Sequence, residues 1–179
     1  VLILMNRQTA EQDVAKAPPG ACVIYDGPFK LEGKRDDLRF YPVPFGKVIK
    51  DCCPNAKLWK LVANMIYVGV AAQLLDIEIE SVDAALVKAF DSKPKAVEVN
   101  RAAVQAGVDY AREHFAEKPG YRVERRDLTS GKILIDGNSA AALGALLGGC
   151  TVLAWYPITP SSSIAEALTG WFEKYRRAD

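Results

Sequence analysis

The sequence predicts a protein of the α/β class, built from parallel strands that are covered by helices. Short apolar segments with strand character, residues 1–5 and 21–25, are followed by longer segments with apolar residues at helical spacing. Residues 132–135 and 151–155 repeat this alternation near the end of the chain. Because a polar stretch separates the two patterns, we expect two successive α/β domains.

The elements of the first domain follow from local patterns. Thr9 and Gln12 have the spacing of a capping box, which predicts the start of a helix after the first strand. The second strand covers residues 21–25 and ends at Asp26. Residues 39–44 contain two prolines, which favours an extended segment at a sheet edge because proline cannot donate to the ladder.

Three helices are predicted next, over residues 57–75, 81–90 and 95–116. The first is apolar almost all round, which predicts burial on several sides. His114 lies late in the third helix, where a cation is favourable. No Ser, Cys or acid partner for a catalytic histidine is recognisable. A structural role at the helix end is therefore favoured over catalysis.

Changes in composition indicate where one domain ends and the next begins. The predicted domains are residues 1–118 and 132–179, joined by a polar linker over residues 119–131. The second domain is expected to contain the strands 132–135 and 151–155 and to end in a helix over 164–177. Two strands cannot close a core. We therefore expect a chain that is truncated at both ends, since it also begins inside a strand pattern.

The composition excludes several classes of protein. Half of the residues are apolar and 25% are charged, as in soluble globular proteins. With 23 basic and 22 acidic residues, the chain has no basic excess that would indicate nucleic-acid binding. The apolar stretch 140–156 contains three glycines, so a buried helix and strand explain it better than a membrane span. Four cysteines without a CxxC spacing predict reduced thiols in a cytoplasmic protein and no metal site.

The turn after the last predicted strand carries the candidate substrate site. Residues 156–162 read Tyr-Pro-Ile-Thr-Pro-Ser-Ser and follow the carboxyl end of a strand, where ligands bind in open α/β sheets. With Thr159 as N-cap and Pro160 as first helical residue, hydroxyl groups would lie beside free backbone N–H groups. Such a site suits a carboxylate. The residues alone leave open the alternative that these hydroxyls only cap the helix.

This turn, preceded by Asp-Gly-Asn-Ser-Ala at residues 136–140, resembles the start of the alpha subunit of 2-oxoacid:ferredoxin oxidoreductases. Residues 1–116 resemble the later portion of the family's gamma unit, which many members fuse ahead of the alpha domain. The features that carry this second resemblance are Leu4-Met-Asn6, Pro19-Gly20, Asp26, Tyr41-Pro-Val-Pro44, Asn64-Met65, Gly69, Asn100 and Gly107. The chain lacks the glycine-rich loop with which the gamma unit normally opens.

The resemblance implies a partial Rossmann-like gamma domain, followed by the start of a thiamine-diphosphate-binding domain of the pyrimidine type. The residues implied to bind substrate are Thr159, Tyr156, Pro157 and Ile158, and those implied to bind the cofactor are Pro160, Ser161, Ser162 and Asn138. No catalytic residue is assigned within the chain, because the glutamate that activates the thiamine in this family is expected beyond Asp179.

The implied activity is oxidative decarboxylation of a 2-oxoacid to acyl-CoA and carbon dioxide, with electrons passed to ferredoxin or flavodoxin. The fused gamma–alpha arrangement favours 2-oxoglutarate as the substrate, and coenzyme A would be the co-substrate. Thiamine diphosphate and magnesium would be shared with a beta subunit, which would also hold the iron–sulfur cluster. No nucleic acid or membrane is expected as a partner.

Two alternatives come from other functional classes. A nicotinamide-dependent α/β oxidoreductase would need a phosphate-binding glycine fingerprint followed by an acidic residue, and the chain has neither in that order. A non-catalytic fragment that assists assembly or covers coenzyme A is compatible with the gamma portion.

Overall fold

A three-stranded parallel sheet organises the first part of the chain. The computed structural model describes residues 1–90 and 93–176, and the chain divides into two compact units, Val1–Arg125 and Arg126–Asp179. In the first unit the strands are β1 (Leu2–Leu4), β2 (Cys22–Asp26) and β3 (Arg39–Val43), in the order β1-β2-β3. Both pairs of neighbours are parallel, which confirms the predicted α/β class.

The side chains of β2 alternate between two apolar layers. Val23 and Tyr25 face the layer that contains helix α1 (Ala10–Lys16), whereas Cys22 and Ile24 face the larger helical layer. This alternation is the period of two that a strand imposes on its side chains. Because both layers are apolar, β2 is buried throughout its first four residues and forms the centre of the unit.

Among the described residues of the first unit, four α-helices follow β3, one more than the sequence predicted. They are α2 (Phe45–Cys52), α3 (Trp59–Leu74), α4 (Ile79–Ala89) and α5 (Pro94–His114). The last three lie where they were predicted, with their ends shifted by a few residues. Helix α2 was missed because it is short and contains Gly46, a residue with low helix propensity. The signal that indicates it is the spacing of its buried residues, Phe45, Val48 and Ile49.

The start of α1 was predicted correctly, but its capping was not. Helix α1 begins at Ala10 with Thr9 at the N-cap position, and the Thr9 side chain makes no capping hydrogen bond. The reason is that the backbone of Thr9 has helical dihedral angles, with φ −101° and ψ −11°, instead of the extended conformation typical of an N-cap. The side chain of Asn6 closes the preceding turn by accepting from the N–H of Gln8 at 3.0 Å.

Helices α3 and α5 touch through their backbones. A Cβ atom on Gly69 would lie 2.0 Å from the carbonyl oxygen of Val104, and one on Gly107 would lie 2.3 Å from that of Ile66. No side chain fits at either position without moving a helix. The close approach lets both helices contribute to the core that covers the sheet, where Ile66 and Ala103 are fully buried.

The chain that leaves α5 stays attached to the first unit. The hydroxyl of Tyr41 donates to the carbonyl of Glu117 at 3.2 Å, and the Cys22 N–H donates to the hydroxyl oxygen of Tyr121 at 3.0 Å. Farther along, the Val123 N–H donates to the Leu75 carbonyl at 2.8 Å. The boundary between the two units falls after Arg125, inside the stretch predicted as a linker.

The part of the second unit that the structure describes contains two helices, α6 (Gly137–Leu147) and α7 (Ser162–Tyr175). Ala142 and Leu146 of α6 pack against Leu168 of α7, and all three are buried. The predicted end of the last helix at Arg177 lies outside the described residues. No helix within 1–90 and 93–176 has the length and hydropathy needed to span a membrane.

The two strands predicted in this unit are not formed. Residues 132–135 and 151–155 lie outside any strand, and within the described chain they pair neither with each other nor with another segment. Leu134 is fully exposed and Val152 is 80% exposed. A strand needs a neighbour for its N–H and C=O groups, whereas a helix satisfies its own. The prediction of a βαβα unit was therefore wrong for its strands and right for its helices.

We predict that Gly69→Ala and Gly107→Ala each destabilise the protein. An added methyl group must push one helix backbone away from the other, and such overpacking lowers the free energy of unfolding by about 1–3 kcal/mol. Gly46→Ala is the matched control, because open space surrounds Gly46 in α2. There alanine should raise the free energy of unfolding by up to about 1 kcal/mol through helix propensity. Urea unfolding followed by circular dichroism measures all three variants, and three equal effects would contradict the close contact.

Candidate functional site

The turn that leads into α7 is closed by the carbonyl group of Ile158. This oxygen accepts the N–H groups of Ser161 at 2.8 Å and Ser162 at 3.3 Å. The closure delays the helix, so that Ser161 occupies the N-cap position and α7 begins at Ser162. The prediction that Thr159 is the N-cap and Pro160 the first helical residue was therefore wrong.

The hydroxyl group of Ser161 is used inside the turn. It donates to the Ile158 carbonyl at 2.7 Å and makes no capping hydrogen bond to α7. Ser162, the first residue of the helix, is half-buried. These two residues, both predicted to contact the cofactor, therefore belong to the internal structure of the turn and to the amino end of α7.

The Thr159 hydroxyl has no such internal partner. Thr159 is exposed, and its side chain makes no hydrogen bond within the described chain. Tyr156 is 78% exposed and Ile158 is 58% exposed, and Pro157 between them is exposed as well. The four residues predicted to contact the substrate thus lie on one continuous exposed stretch, and the capping role that competed for Thr159 is absent.

Asn138 connects α6 to this turn. Its Nδ2 donates to the Pro160 carbonyl at 3.0 Å and to the hydroxyl oxygen of Ser163 at 2.6 Å. The amino end of α6 is fixed separately by Asp136, which accepts from the Ser139 N–H at 2.9 Å and from the Ser139 hydroxyl at 2.6 Å. These bonds hold the pKa of Asp136 below its usual range. The amino ends of α6 and α7 therefore flank the turn, and the carboxylate of Asp136 already occupies the amino end of α6.

A second group of polar atoms lies at the carboxyl end of the sheet in the first unit. Asp26 ends β2, and its Oδ1 accepts from the Phe45 N–H at 3.3 Å. Tyr67 stacks on Phe45 with 3.6 Å between the ring centroids, and its hydroxyl donates to the Leu4 carbonyl at 3.3 Å. Sequence reasoning treated Asp26 only as the end of a strand. The signal that it missed is an acid directly after a buried parallel strand, where ligands bind in open α/β sheets.

Burial controls the ionisation of these groups. It raises the pKa of Asp26 above its ordinary value of 3.8, an effect that the Phe45 N–H opposes. Burial also raises the pKa of Tyr67 to about 12, with a smaller contribution from the charge of Asp26. A carboxyl group with a raised pKa at the ligand-binding end of a sheet is a candidate for function.

The remaining residues with reactive side chains are in structural positions. His114 stacks on Tyr110 at 4.1 Å between centroids, and its Nδ1 lies 3.0 Å from the Tyr110 carbonyl. Cys22 is fully buried, and burial raises the pKa of its thiol to about 11. Among the described residues, no group of three or more His, Cys, Asp or Glu side chains could hold a metal ion.

Comparisons with known proteins identify relatives of both parts of the chain. Residues 1–110, more than half of the 179, match the family model described as pyruvate ferredoxin/flavodoxin oxidoreductase. Subunit alpha of 2-oxoacid:ferredoxin oxidoreductase 2 from Aeropyrum pernix is 37% identical over 106 residues, 58% of this chain and 15% of the relative. The 2-oxoglutarate oxidoreductase subunit KorA from Mycobacterium tuberculosis is 32% identical over 112 residues, 59% of this chain and 17% of the relative.

A solved structure extends the similarity along most of the chain. It is 2-oxoglutarate:ferredoxin oxidoreductase from Magnetococcus marinus, described with 2-oxoglutarate, coenzyme A and succinyl-CoA bound. It matches 96% of this chain with a TM-score of 0.81 and 25% sequence identity, and the match covers 30% of that chain. The chain spans between 12% and 20% of the length of the curated relatives it matches.

We predict that Asp26→Asn stabilises the protein at pH 7. A raised pKa in the folded state means that burial disfavours the charged carboxylate, so the wild type loses stability as pH rises from 3.8 through the raised value. Asparagine keeps an oxygen for the Phe45 N–H without the charge. Urea unfolding at pH 7 and pH 3 should show a gain that disappears in acid.

The control for this prediction is Asp37→Asn, which should behave in the opposite way. Asp37 is paired with Arg35, and that pairing lowers the pKa of its carboxyl group. Its charge therefore contributes stability above pH 3.8, and that contribution is lost in acid. An Asp26 variant that is less stable than the wild type at pH 7 would show that the carboxylate is favourably held.

Proposed function

The chain belongs to the pyruvate ferredoxin/flavodoxin oxidoreductase family, and from this premise we propose that it forms part of an enzyme that oxidatively decarboxylates a 2-oxoacid. The products would be an acyl-CoA and carbon dioxide, and the electrons would pass to ferredoxin or flavodoxin. The observation that carries the proposal is the family match over residues 1–110, supported by relatives that are alpha subunits of 2-oxoacid:ferredoxin oxidoreductases. The KorA relative and the solved structure favour 2-oxoglutarate among the 2-oxoacids.

The contribution of the second unit to this reaction is to bind the substrate. The Thr159 hydroxyl, which has no partner within the described chain, would donate to the carboxylate or keto oxygen of the 2-oxoacid. Tyr156, Pro157 and Ile158 would form the adjoining wall, and closure of that exposed wall by the rest of the enzyme would exclude water. A hydrogen bond to a charged group contributes about 1.5–3 kcal/mol, which is enough to select a carboxylate-bearing substrate.

Thiamine diphosphate would lie beside the same turn. Pro160, Ser161 and Ser162, at the amino end of α7, would contact it mainly by packing, because the Pro160 carbonyl accepts from Asn138 and the Ser161 hydroxyl donates to the Ile158 carbonyl. When bound, the cofactor would supply the carbanion that attacks the keto carbon and the electron sink for decarboxylation. As the family resemblance implies, the diphosphate–magnesium anchor would be supplied by a beta subunit.

The same partner would complete the path of the electrons. The four cysteines of the chain are free, and burial keeps the pKa of the Cys22 and Cys52 thiols above the ordinary value. Such thiols are poor cluster ligands, since a ligand must be a thiolate. We assign the iron–sulfur cluster to the beta subunit. As the family resemblance implies, coenzyme A would be the acyl acceptor and the enzyme would act in the cytoplasm.

The complete enzyme that contains this chain, assembled with its beta subunit, tests the proposal. We expect it to reduce methyl viologen anaerobically only when a 2-oxoacid and coenzyme A are both present, and fastest with 2-oxoglutarate among 2-oxoglutarate, pyruvate and 2-oxoisovalerate. Omission of coenzyme A is the matched control. Substrate-dependent formation of reduced nicotinamide, without reduction of the dye, would assign the chain to a different class of oxidoreductase.

We predict that Thr159→Ala impairs this reaction without destabilising the fold. Because Thr159 is not the N-cap of α7, removal of its hydroxyl should leave the melting temperature within about 1 °C, unlike the loss of a true cap, which costs about 1 kcal/mol. Loss of a charge-assisted hydrogen bond to the substrate should lower kcat/KM by roughly 10- to 100-fold. Thiamine diphosphate content should be unchanged, since its anchor is in the partner.

Two further variants make this result specific. Thr159→Ser keeps the hydroxyl and should retain most of the activity. Thr169→Ala removes an equivalent hydroxyl from an exposed position of α7 and should have no effect on kcat/KM. Wild-type kcat/KM in the Thr159→Ala enzyme would remove Thr159 from the substrate site.

A further inference from the structure

We infer that Asn138 is a positioning residue that holds the 156–163 turn against α6 and thereby sets the location of the Thr159 hydroxyl. The inference deepens the proposed function, on which the role of Thr159 rests. It also revises the expectation that Asn138 binds the cofactor directly, because the Asn138 amide group is already committed to the turn.

Both hydrogens of the Asn138 amide group are used. One goes to the Pro160 carbonyl at 3.0 Å, and the other goes to the Ser163 hydroxyl oxygen at 2.6 Å. The Ser163 hydroxyl in turn donates to the same Pro160 carbonyl at 3.1 Å. The three polar groups thus form a closed set that joins the second residue of α6 to the turn before α7 and to the first turn of α7.

The chemistry of this set requires an amide. The Pro160 carbonyl can only accept, and the hydroxyl hydrogen of Ser163 is spent on that carbonyl, so both atoms that face Asn138 are acceptors. An aspartate at position 138 would bring a third acceptor to them, and an alanine would leave them without this donor. Only the Asn138 Oδ1 is left over, so a direct bond to a cofactor could come only from a donor on that cofactor.

Within the described residues, the hydrogen bonds that join the turn to α6 come from Asn138. Tyr156 and Ile158 are mostly exposed, so the turn is not fixed by burial of its side chains. Other hydrogen bonds of the turn are local, such as those that the Ile158 carbonyl accepts from Ser161 and Ser162. Helix α6, by contrast, is anchored by its Asp136 cap and by the buried Ala142 and Leu146. Because Asn138 belongs to this anchored helix, its hydrogen bonds to Pro160 and Ser163 hold the turn in place.

The first test measures the turn itself and does not depend on enzymatic activity. In the 179-residue chain, hydrogen exchange followed by mass spectrometry should show at least a tenfold faster exchange of the Ser161 and Ser162 amides in Asn138→Ala and in Asn138→Asp. Ser139→Ala is the matched control, because it removes the hydroxyl bond to Asp136 at the same helix end and leaves the turn contacts in place. Ser163→Ala, which removes one acceptor, should give a smaller change of the same sign.

The second test is a double-mutant cycle in the complete enzyme. Asn138→Ala should lower kcat/KM for the 2-oxoacid by roughly 10- to 100-fold, since a small displacement of a binding group has effects of this size. Thiamine diphosphate content and the KM for coenzyme A should be unchanged. If Asn138 acts through Thr159, the double variant Asn138→Ala/Thr159→Ala should be no worse than Thr159→Ala alone.

The outcomes separate this inference from the proposed function. Exchange rates of the turn amides that equal those of the wild type, or additive losses in the double variant, would overturn the positioning role. A loss of bound thiamine diphosphate in Asn138→Ala would instead make Asn138 a direct cofactor ligand. A faster-exchanging turn in an enzyme with no 2-oxoacid activity would support the structural part and refute the proposed function.

Discussion

The architecture of the first unit depends on one contact between backbones, the crossing of α3 and α5 at Gly69 and Gly107. Because no side chain separates the helices there, both can reach the core that covers β2. The same helix α3 carries Tyr67 to the carboxyl end of the sheet, where its hydroxyl meets the Leu4 carbonyl. Its ring stacks there on Phe45, whose N–H donates to the buried carboxyl group of Asp26.

Local patterns predicted most of the first unit because its elements satisfy local rules. The apolar run 21–25 predicted a strand and the prolines of residues 39–44 predicted an edge strand, and both are found. Helix α2 escaped prediction because its eight residues are too few for a clear period and include a glycine. The contact between Gly69 and Val104 could not be predicted, since nothing in a single sequence shows which distant helices will meet.

In the second unit, too, the features that depend on contacts between distant residues were not predicted. Helices α6 and α7 were predictable because a helix pairs its own backbone, whereas the strand patterns at 132–135 and 151–155 specify a structure that needs neighbours. The turn was recognisable as a motif, yet the motif does not reveal that the Ile158 carbonyl displaces Thr159 from the cap. The hydrogen bond from Asn138 to the Pro160 carbonyl joins residues that are 22 positions apart, so no local sequence pattern indicates it.

Residues 117–125 are attached to the first unit, so the folded unit extends beyond the segment that sequence similarity identifies. The family match ends at residue 110, but the N–H at the start of β2 finds its acceptor in the phenol of Tyr121. A domain cut at residue 110 would lack Tyr121 and Val123. The Cys22 N–H at the start of β2 and the Leu75 carbonyl would then lose their hydrogen-bond partners. Residues 117–125 thus complete the hydrogen bonding of the first unit, although the family match does not include them.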